Sequence, residues 1–549
     1  MNKLLLKHIA LIFFLVISFV VNAQIDLPED SFVVVKEYEP VLSDAIKIKD
    51  NPVINDTEKI EINLKYDFLN VQYPAKHTVE PIKPARVKGE PLVKLYRHYL
   101  TLGFGSNTTP LFDYYYNTKR NKNMAIGLHA KHFSTNGIAK IDYDDRSSNT
   151  IELYAKRYWK HNTLKGAFNY NREVVHYYGF LPQSEPVITD KDGIKQRYNT
   201  FGGLVEFSKN YTDTSEVNYK STLAYYNLSD LYSSSENNFK LDAYLGKLQN
   251  SEWYKVNLLL DYNSYQAASD SSNNLILGLS PHISTQSDNW KFDAGIALFL
   301  NAGDKSTFHF YPMAEFKYNL VEDIIIPYLG INGKIQRNSF KTISIENPFI
   351  NASINLQNTN VKRHLYAGIR GSLSKKMTFY TSVNLKRIAT QPFFIKKIDK
   401  VLDNTFDVIY DTLNLTSIEG ELAYQQNEKI KWIASGAYYL YKLENLDNPY
   451  HLPNFKFTAT ALYDLRDKII AKLDIFVIGD RPVASWTGLG YETKILPLIF
   501  DANLMLEYRY TKKLSAFISF NNIASQQYQI YQDYNVQQFN VLGGLKYSF

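Results

Sequence analysis

From about residue 95 to its end, the chain is a succession of short segments in which apolar and polar residues alternate. In Tyr254-Lys255-Val256-Asn257-Leu258-Leu259-Leu260-Asp261-Tyr262-Asn263 the even positions are apolar and four of the five odd ones are polar. Phe239, Leu241, Ala243 and Leu245 oppose Lys240 and Asp242, and Phe455, Phe457, Ala459, Ala461 and Tyr463 oppose Lys456, Thr458 and Thr460. Ala502, Leu504, Leu506, Tyr508 and Tyr510 share one face, Asp501, Asn503, Glu507 and Arg509 the other. A period of two sends successive side chains to opposite faces, so each segment is predicted to be a strand with one oily and one wet face.

The connections between these segments fall into two kinds. Ten are short and polar: 120–123, 160–162, 210–215, 249–251, 287–289, 321–323, 374–376, 427–429, 466–468 and 511–513. Between successive turns lies one hairpin's worth of chain, often with a long connection in its middle, at 134–147, 174–195, 336–361, 389–406, 481–494 and 523–535. Ten turns and eleven opposite loops predict an all-β, antiparallel, up-and-down barrel of about 22 strands, within 20–24. A soluble multi-domain sandwich shares the alternation but not this asymmetry of turns and loops.

A wet face and an oily face on one closed sheet suit a membrane, where an unpaired strand edge finds no water. Aromatics make up 15% of the chain, with 43 Tyr and 32 Phe, and pairs such as Tyr254/Tyr262 or Tyr508/Tyr510 sit near strand ends, as at membrane interfaces. Outer-membrane lipid and lipopolysaccharide are then the expected surroundings. The wet positions Lys240, Asp242, Lys255, Asp261, Lys456, Lys472, Asp474, Asp501, Glu507 and Arg509 are expected to face the lumen. The last strand alternates through Val541, Gly543, Leu545 and Tyr547 to a terminal Phe549. That ending resembles the signal read by the barrel-assembly machinery, which implies a transient partner during insertion.

The N-terminus reads differently. Lys3 and Lys7 precede an apolar run from Ile9 to Val21, and Val21-Asn22-Ala23 offers a small-residue cleavage site before Gln24. That run is shorter than the roughly 20 residues of a membrane span, so residues 1–23 are expected to be a signal peptide. Residues 24–94 hold seven of the 19 prolines and are expected to be an extended periplasmic or lumenal segment ahead of a barrel at 95–549. The net charge of +6 is spread along the chain without a basic block, which gives nucleic-acid binding little support. There is no Cys, so neither a lipidated Cys nor a disulfide is available.

The stretch 514–549 resembles the end of a TonB-dependent transporter barrel, through Phe517-Ile518-Ser519-Phe520-Asn521-Asn522-Ile523, then Gln526-Gln527-Tyr528, then Gly543-Gly544-Leu545-Lys546-Tyr547-Ser548-Phe549. Together with the strand count, and in composition and processing site, the chain looks like a TonB-dependent-receptor-like protein of Bacteroidota type. That resemblance implies uptake or passage of a nutrient across the outer membrane of a Gram-negative cell. It also implies TonB as a partner, and Phe32, Val33, Val34 and Val35 faintly resemble the strand-adding TonB box. Residues 24–94 are too few for the family's plug domain. The alternative is a structural or accessory subunit of an outer-membrane secretion or assembly complex, its lumen filled by the N-terminal segment or by a partner, with a periplasmic or surface lipoprotein as a candidate partner.

Catalytic chemistry finds no support. The 11 His are scattered, and no cofactor or metal site is expected. Asp142-Tyr143-Asp144-Asp145 lacks the Gly and distal Glu of a calcium loop and reads as a solvated acidic loop. The aromatic and amide-rich stretch 526–535 makes Tyr528, Tyr531 and Tyr534 candidate ligand contacts, against the plainer reading of tyrosines at the lipopolysaccharide interface.

Overall fold

The computed structural model describes residues 94–137, 143–180, 190–210, 216–303, 305–321, 324–398 and 402–549. The expected signal peptide, residues 24–93 and the segment Phe32–Val35 lie outside the described residues.

Twenty-two strands close into one antiparallel ring. The first are β1 (His98–Gly105), β2 (Thr109–Asn117), β3 (Met124–Thr135), β4 (Arg146–Tyr158), β5 (Asn162–His176) and β6 (Lys195–Lys209). Next come β7 (Asn218–Ser229), β8 (Ser235–Gln249), β9 (Glu252–Gln266), β10 (Ser271–Gln286), β11 (Trp290–Ala302) and β12 (Thr307–Tyr318). The wall continues through β13 (Ile326–Gln336), β14 (Thr359–Ser374), β15 (Met377–Lys396), β16 (Phe406–Asn427), β17 (Ile430–Leu443) and β18 (Phe455–Leu465). It ends with β19 (Ile469–Ile478), β22 (Ile499–Arg509), β23 (Leu514–Asn521) and β26 (Asn540–Ser548). The hairpins β20 (Arg481–Trp486) with β21 (Tyr491–Leu496), and β24 (Gln529–Tyr531) with β25 (Tyr534–Asn535), belong to loops outside the ring.

The ring closes by pairing β1 with β26, from Tyr99 against Ser548 to Gly105 against Leu542. At this seam two glycines face each other, Gly103 and Gly544, and the Phe517 ring packs over the gap they leave. A Cβ on Gly544 would fall 2.1 Å from the Leu102 carbonyl oxygen, so no side chain fits there without moving the seam. The chain's last residue is part of the closure: Phe549 N–H donates to His98 O at 3.0 Å, and His98 N–H returns the bond to Phe549 O at 3.0 Å.

The ten predicted turns fall between consecutive strands that meet at one rim, the rim that also holds Phe549, although most of 210–215 and of 321–323 lies outside the described residues. The outer face carries an apolar belt, with Leu258 43%, Leu329 56% and Ile418 51% exposed, a surface that only lipid would cover. Among the described residues no helix is long and apolar enough to cross a membrane.

The structure departs from the sequence reading at 389–406, expected as a loop. There β15 and β16, of 20 and 22 residues, pair up to Lys396 and Phe406, far beyond the 9–11 residues a span requires. A bulge between Ile388 and Gln391, with Thr390 at φ 55°, shifts the alternation by one residue. The hydrophobic phase therefore breaks in sequence although the strand does not.

Candidate functional site

The long connections gather at the other rim, and one of them builds a cap. The β13–β14 loop starts at Arg337, whose guanidinium Nε donates to Asp261 Oδ1 at 2.7 Å and Nη1 to Asn274 Oδ1 at 2.9 Å. Both side chains of the Arg337–Asp261 pair are only 10% exposed. Ser339 then caps the short helix α1 (Phe340–Glu346) through a capping box with Thr342. The Glu236 carboxylate of β8 accepts from the helix's first amides, Phe340 N–H at 2.6 Å and Lys341 N–H at 3.2 Å, and from the Tyr226 hydroxyl at 2.7 Å. Burial pulls the Lys341 ammonium below its ordinary pKa while Glu236 opposes the shift, and the ammonium lies 3.9 Å from the Tyr226 ring centre.

Beyond α1 the loop is held by tyrosines. Tyr198 OH donates to Pro348 O at 3.0 Å, Tyr177 OH to Ile350 O at 2.9 Å, Tyr265 OH to Ala352 O at 2.6 Å and Tyr410 OH to Asn355 O at 2.9 Å. A loop without a ladder of its own leaves carbonyls that must be satisfied when buried. Phenols serve because one ring supplies both apolar area and a donor. Phe340, Ile350 and Phe406 are fully buried here, joined by Tyr198, Leu228, Tyr265, Phe394 and Tyr534. Their sources run round the ring, and β5 and β16 stand half a circumference apart among 22 strands. A packed cluster that joins them crosses the barrel axis. The loops at this end pack into a dome over the mouth.

The three candidate tyrosines of 526–535 all meet this dome or its edge. Tyr534 is 2% exposed, stacks on Phe349 at 3.6 Å between centroids and donates to Asn404 O. Tyr531 OH donates to Glu346 O, and Tyr528 OH to Asp501 Oδ2 at 2.8 Å. The Tyr531 and Tyr534 hydroxyls tie this loop to other loops, and the Tyr528 hydroxyl ties it to β22. The tip of the same loop is fixed by a buried pair, Lys396 with Asp533. In the acidic loop, Asp142 lies outside the described residues. Asp145 pairs with Lys191 at 2.9 Å, and Asp144 is 7% exposed, so this part of the loop is not solvated as expected.

Below the dome the wall is wet. The face of β8 that carries Glu236 also carries Lys240 and Asp242, 3.9 Å apart with side chains 45% and 58% exposed. Lys255 and Lys291 flank Asp293 at 3.6 and 3.4 Å, Lys472 meets Asp474 at 2.8 Å, and Glu507 holds Lys546 and Arg509. Asp501 is engaged by Tyr528, and Lys456 sits at the start of β18 near the loop rim. Among the described residues no group of three or more His, Asp or Glu side chains is placed to hold a metal ion.

Arg337, Glu236, Phe340 and the four loop-binding tyrosines were not singled out in the sequence. The available signal was apolar content in an outer loop, where Phe340, Ile343, Phe349, Ile350 and Ile354 have no reason to cluster unless they are covered.

These features define a 22-strand transmembrane β-barrel of outer-membrane type, with a dome of its own connections packed at its loop end. Its fold is that of solved transporters and import receptors. It is similar to the FrpB iron transporter from Neisseria meningitidis (F3-3 variant), with a TM-score of 0.67 over 83% of this chain and 82% of that one at 8% identity. It is also similar to the ferric-catecholate import receptor Fiu from K12 E. coli (TM-score 0.63, 11% identity, 83% and 82%) and to the copper transporter OprC (0.61, 11%, 82% and 80%). No protein-family model and no curated protein sequence matches the chain.

Proposed function

We propose that this chain is a receptor-type barrel for uptake or passage of a polar nutrient across the outer membrane, with the dome as its outer gate. The observation that carries this reading is the run of partly exposed ion pairs on the strands, such as Lys240–Asp242 on the same face of β8 as the dome contact Glu236. Exposed ion pairs such as Lys240–Asp242 add little stability, so a face that carries them suits contact with water and polar solutes. The iron and copper transporters that share the fold support the reading at the level of a receptor-like barrel. On this reading Phe32–Val35 would join TonB by strand addition. Binding of the full chain to the periplasmic domain of TonB should then be lost when those four residues are deleted.

Planar-bilayer recording tests the passage. The wild-type chain is expected to be nearly silent, and a variant lacking residues 341–355 is expected to show discrete conductance steps. Silence of a variant lacking both 341–355 and 24–93 would overturn the reading. The fully buried packing of Phe340, Ile350 and Phe406 in the dome favours a second reading, a permanently sealed barrel serving as a subunit of a secretion or assembly complex. That reading requires the barrel to leave detergent-solubilised membranes with a stoichiometric partner.

A further inference from the structure

The short-turn rim is polarised in charge, and this does not depend on whether the lumen conducts. Starting at the β14–β15 turn and passing through the seam to the β4–β5 turn, six successive turns all carry exposed cations. Lys375 and Lys376 stand at one end of this arc, Lys512 and Lys513 beside the seam, and Lys119, Arg120 and Lys122 just past it. The described turn residues of the arc hold eleven Lys or Arg against two acids, Glu428 and Asp467. The remaining four turns, from β6–β7 to β12–β13, hold no Lys or Arg among their described residues and two acids, Glu216 and Asp288.

Outer-membrane barrels make their short turns on the periplasmic side, and we propose that this basic arc is a docking surface for a periplasmic protein that presents an acidic face. Two arguments select that occupant. Lipid headgroups surround the whole circumference, so a lipid role predicts cations on every turn, whereas four adjacent turns have none. The arc is also contiguous only because the ring closes, which sets residues 119–122 beside 512–513 and sums their potentials over one side of the rim. A partner with negative charge on one face would be drawn to that side and held in a single orientation.

The test uses the full chain in nanodiscs of zwitterionic lipid, with poly-L-glutamate as probe. Saturable binding is expected, falling steeply with added salt. It should weaken at least tenfold in a variant carrying Lys119→Gln, Arg120→Gln, Lys122→Gln, Lys512→Gln and Lys513→Gln, and stay unchanged with Asp288→Asn and Glu216→Gln. These positions lie in exposed turns, and heat-modifiable migration checks that each variant is folded. Photo-crosslinkers placed in cells at position 376 and at position 250 supply a second measurement. A discrete protein adduct at 376 and none at 250 supports the proposal. Equal probe binding by both variants, adducts only to lipid, or binding that appears only once residues 24–93 are removed would overturn it.

Discussion

The two ends of this barrel are made from one wall and obey different rules. At the loop end, a connection of 22 residues between β13 and β14 is long enough to reach over the mouth, and most of its apolar side chains are buried among tyrosines from half the ring. At the turn end, connections such as Lys375–Lys376 are too short to cover anything, so their charges remain in water. Connection length decides which end can build a core, because a loop must first reach its partners before burial can repay its ordering. Closure by loops at one end leaves the other free to present charge.

Four measurements break or sharpen this contrast. The absence of Cys makes a single Ile345→Cys label on the exposed side of α1 a clean reporter of dome opening, since Ile345 is 73% exposed. Arg337→Ala removes the cation paired with the nearly buried Asp261, and is expected to destabilise the dome by about 3–5 kcal/mol. It should leave the heat-modifiable migration of the wall unchanged. If the denaturant midpoint of the label does not move, the latch is not what holds the loop.

Acid should act next. His451 lies in the β17–β18 loop, its Nδ1–H bonded to Phe394 O at 3.1 Å and its Nε2 accepting the Gln532 amide at 3.4 Å. Burial, with Arg481 nearby, pushes its pKa down to about 3. Below the ordinary value of about 6.5 the unfolded imidazole gains a proton that the folded one refuses, so stability is lost as pH falls from about 6.5 towards 3. A loss on the order of 2 kcal/mol is expected by pH 5. His451→Gln should flatten that part of the pH profile, and an unaltered slope would rule this site out as the cause.

Tyr265→Phe keeps the ring and removes the donor to Ala352 O, and should cost about 1–3 kcal/mol in the same assay. At the other end, Lys375→Gln with Lys376→Gln should change stability by no more than about 0.5 kcal/mol. A large effect there would show that the turn rim, too, is structural.

Much of the wall was legible because its signals are local. Alternation, turn residues and an aromatic end need only a few neighbouring positions, and all ten turns and the 22 strands follow from them. The long β15–β16 hairpin was not legible, since one bulge at Thr390 inverts the phase on which the reading depends. Tyr528, Tyr531 and Tyr534 stood out by composition as contact residues, but nothing local indicates that the Tyr534 ring stacks on Phe349, 185 residues away in the chain.

By itself the sequence determined a closed, two-faced sheet, because the period of two is imposed residue by residue by strand geometry and by the unlike solvents on either side. Only the tertiary structure decided what the ends became. Arg337 meets Asp261 across 76 residues, and cations scattered between residues 119 and 513 become one arc. Both depend on ring closure, which brings together positions that no local pattern relates.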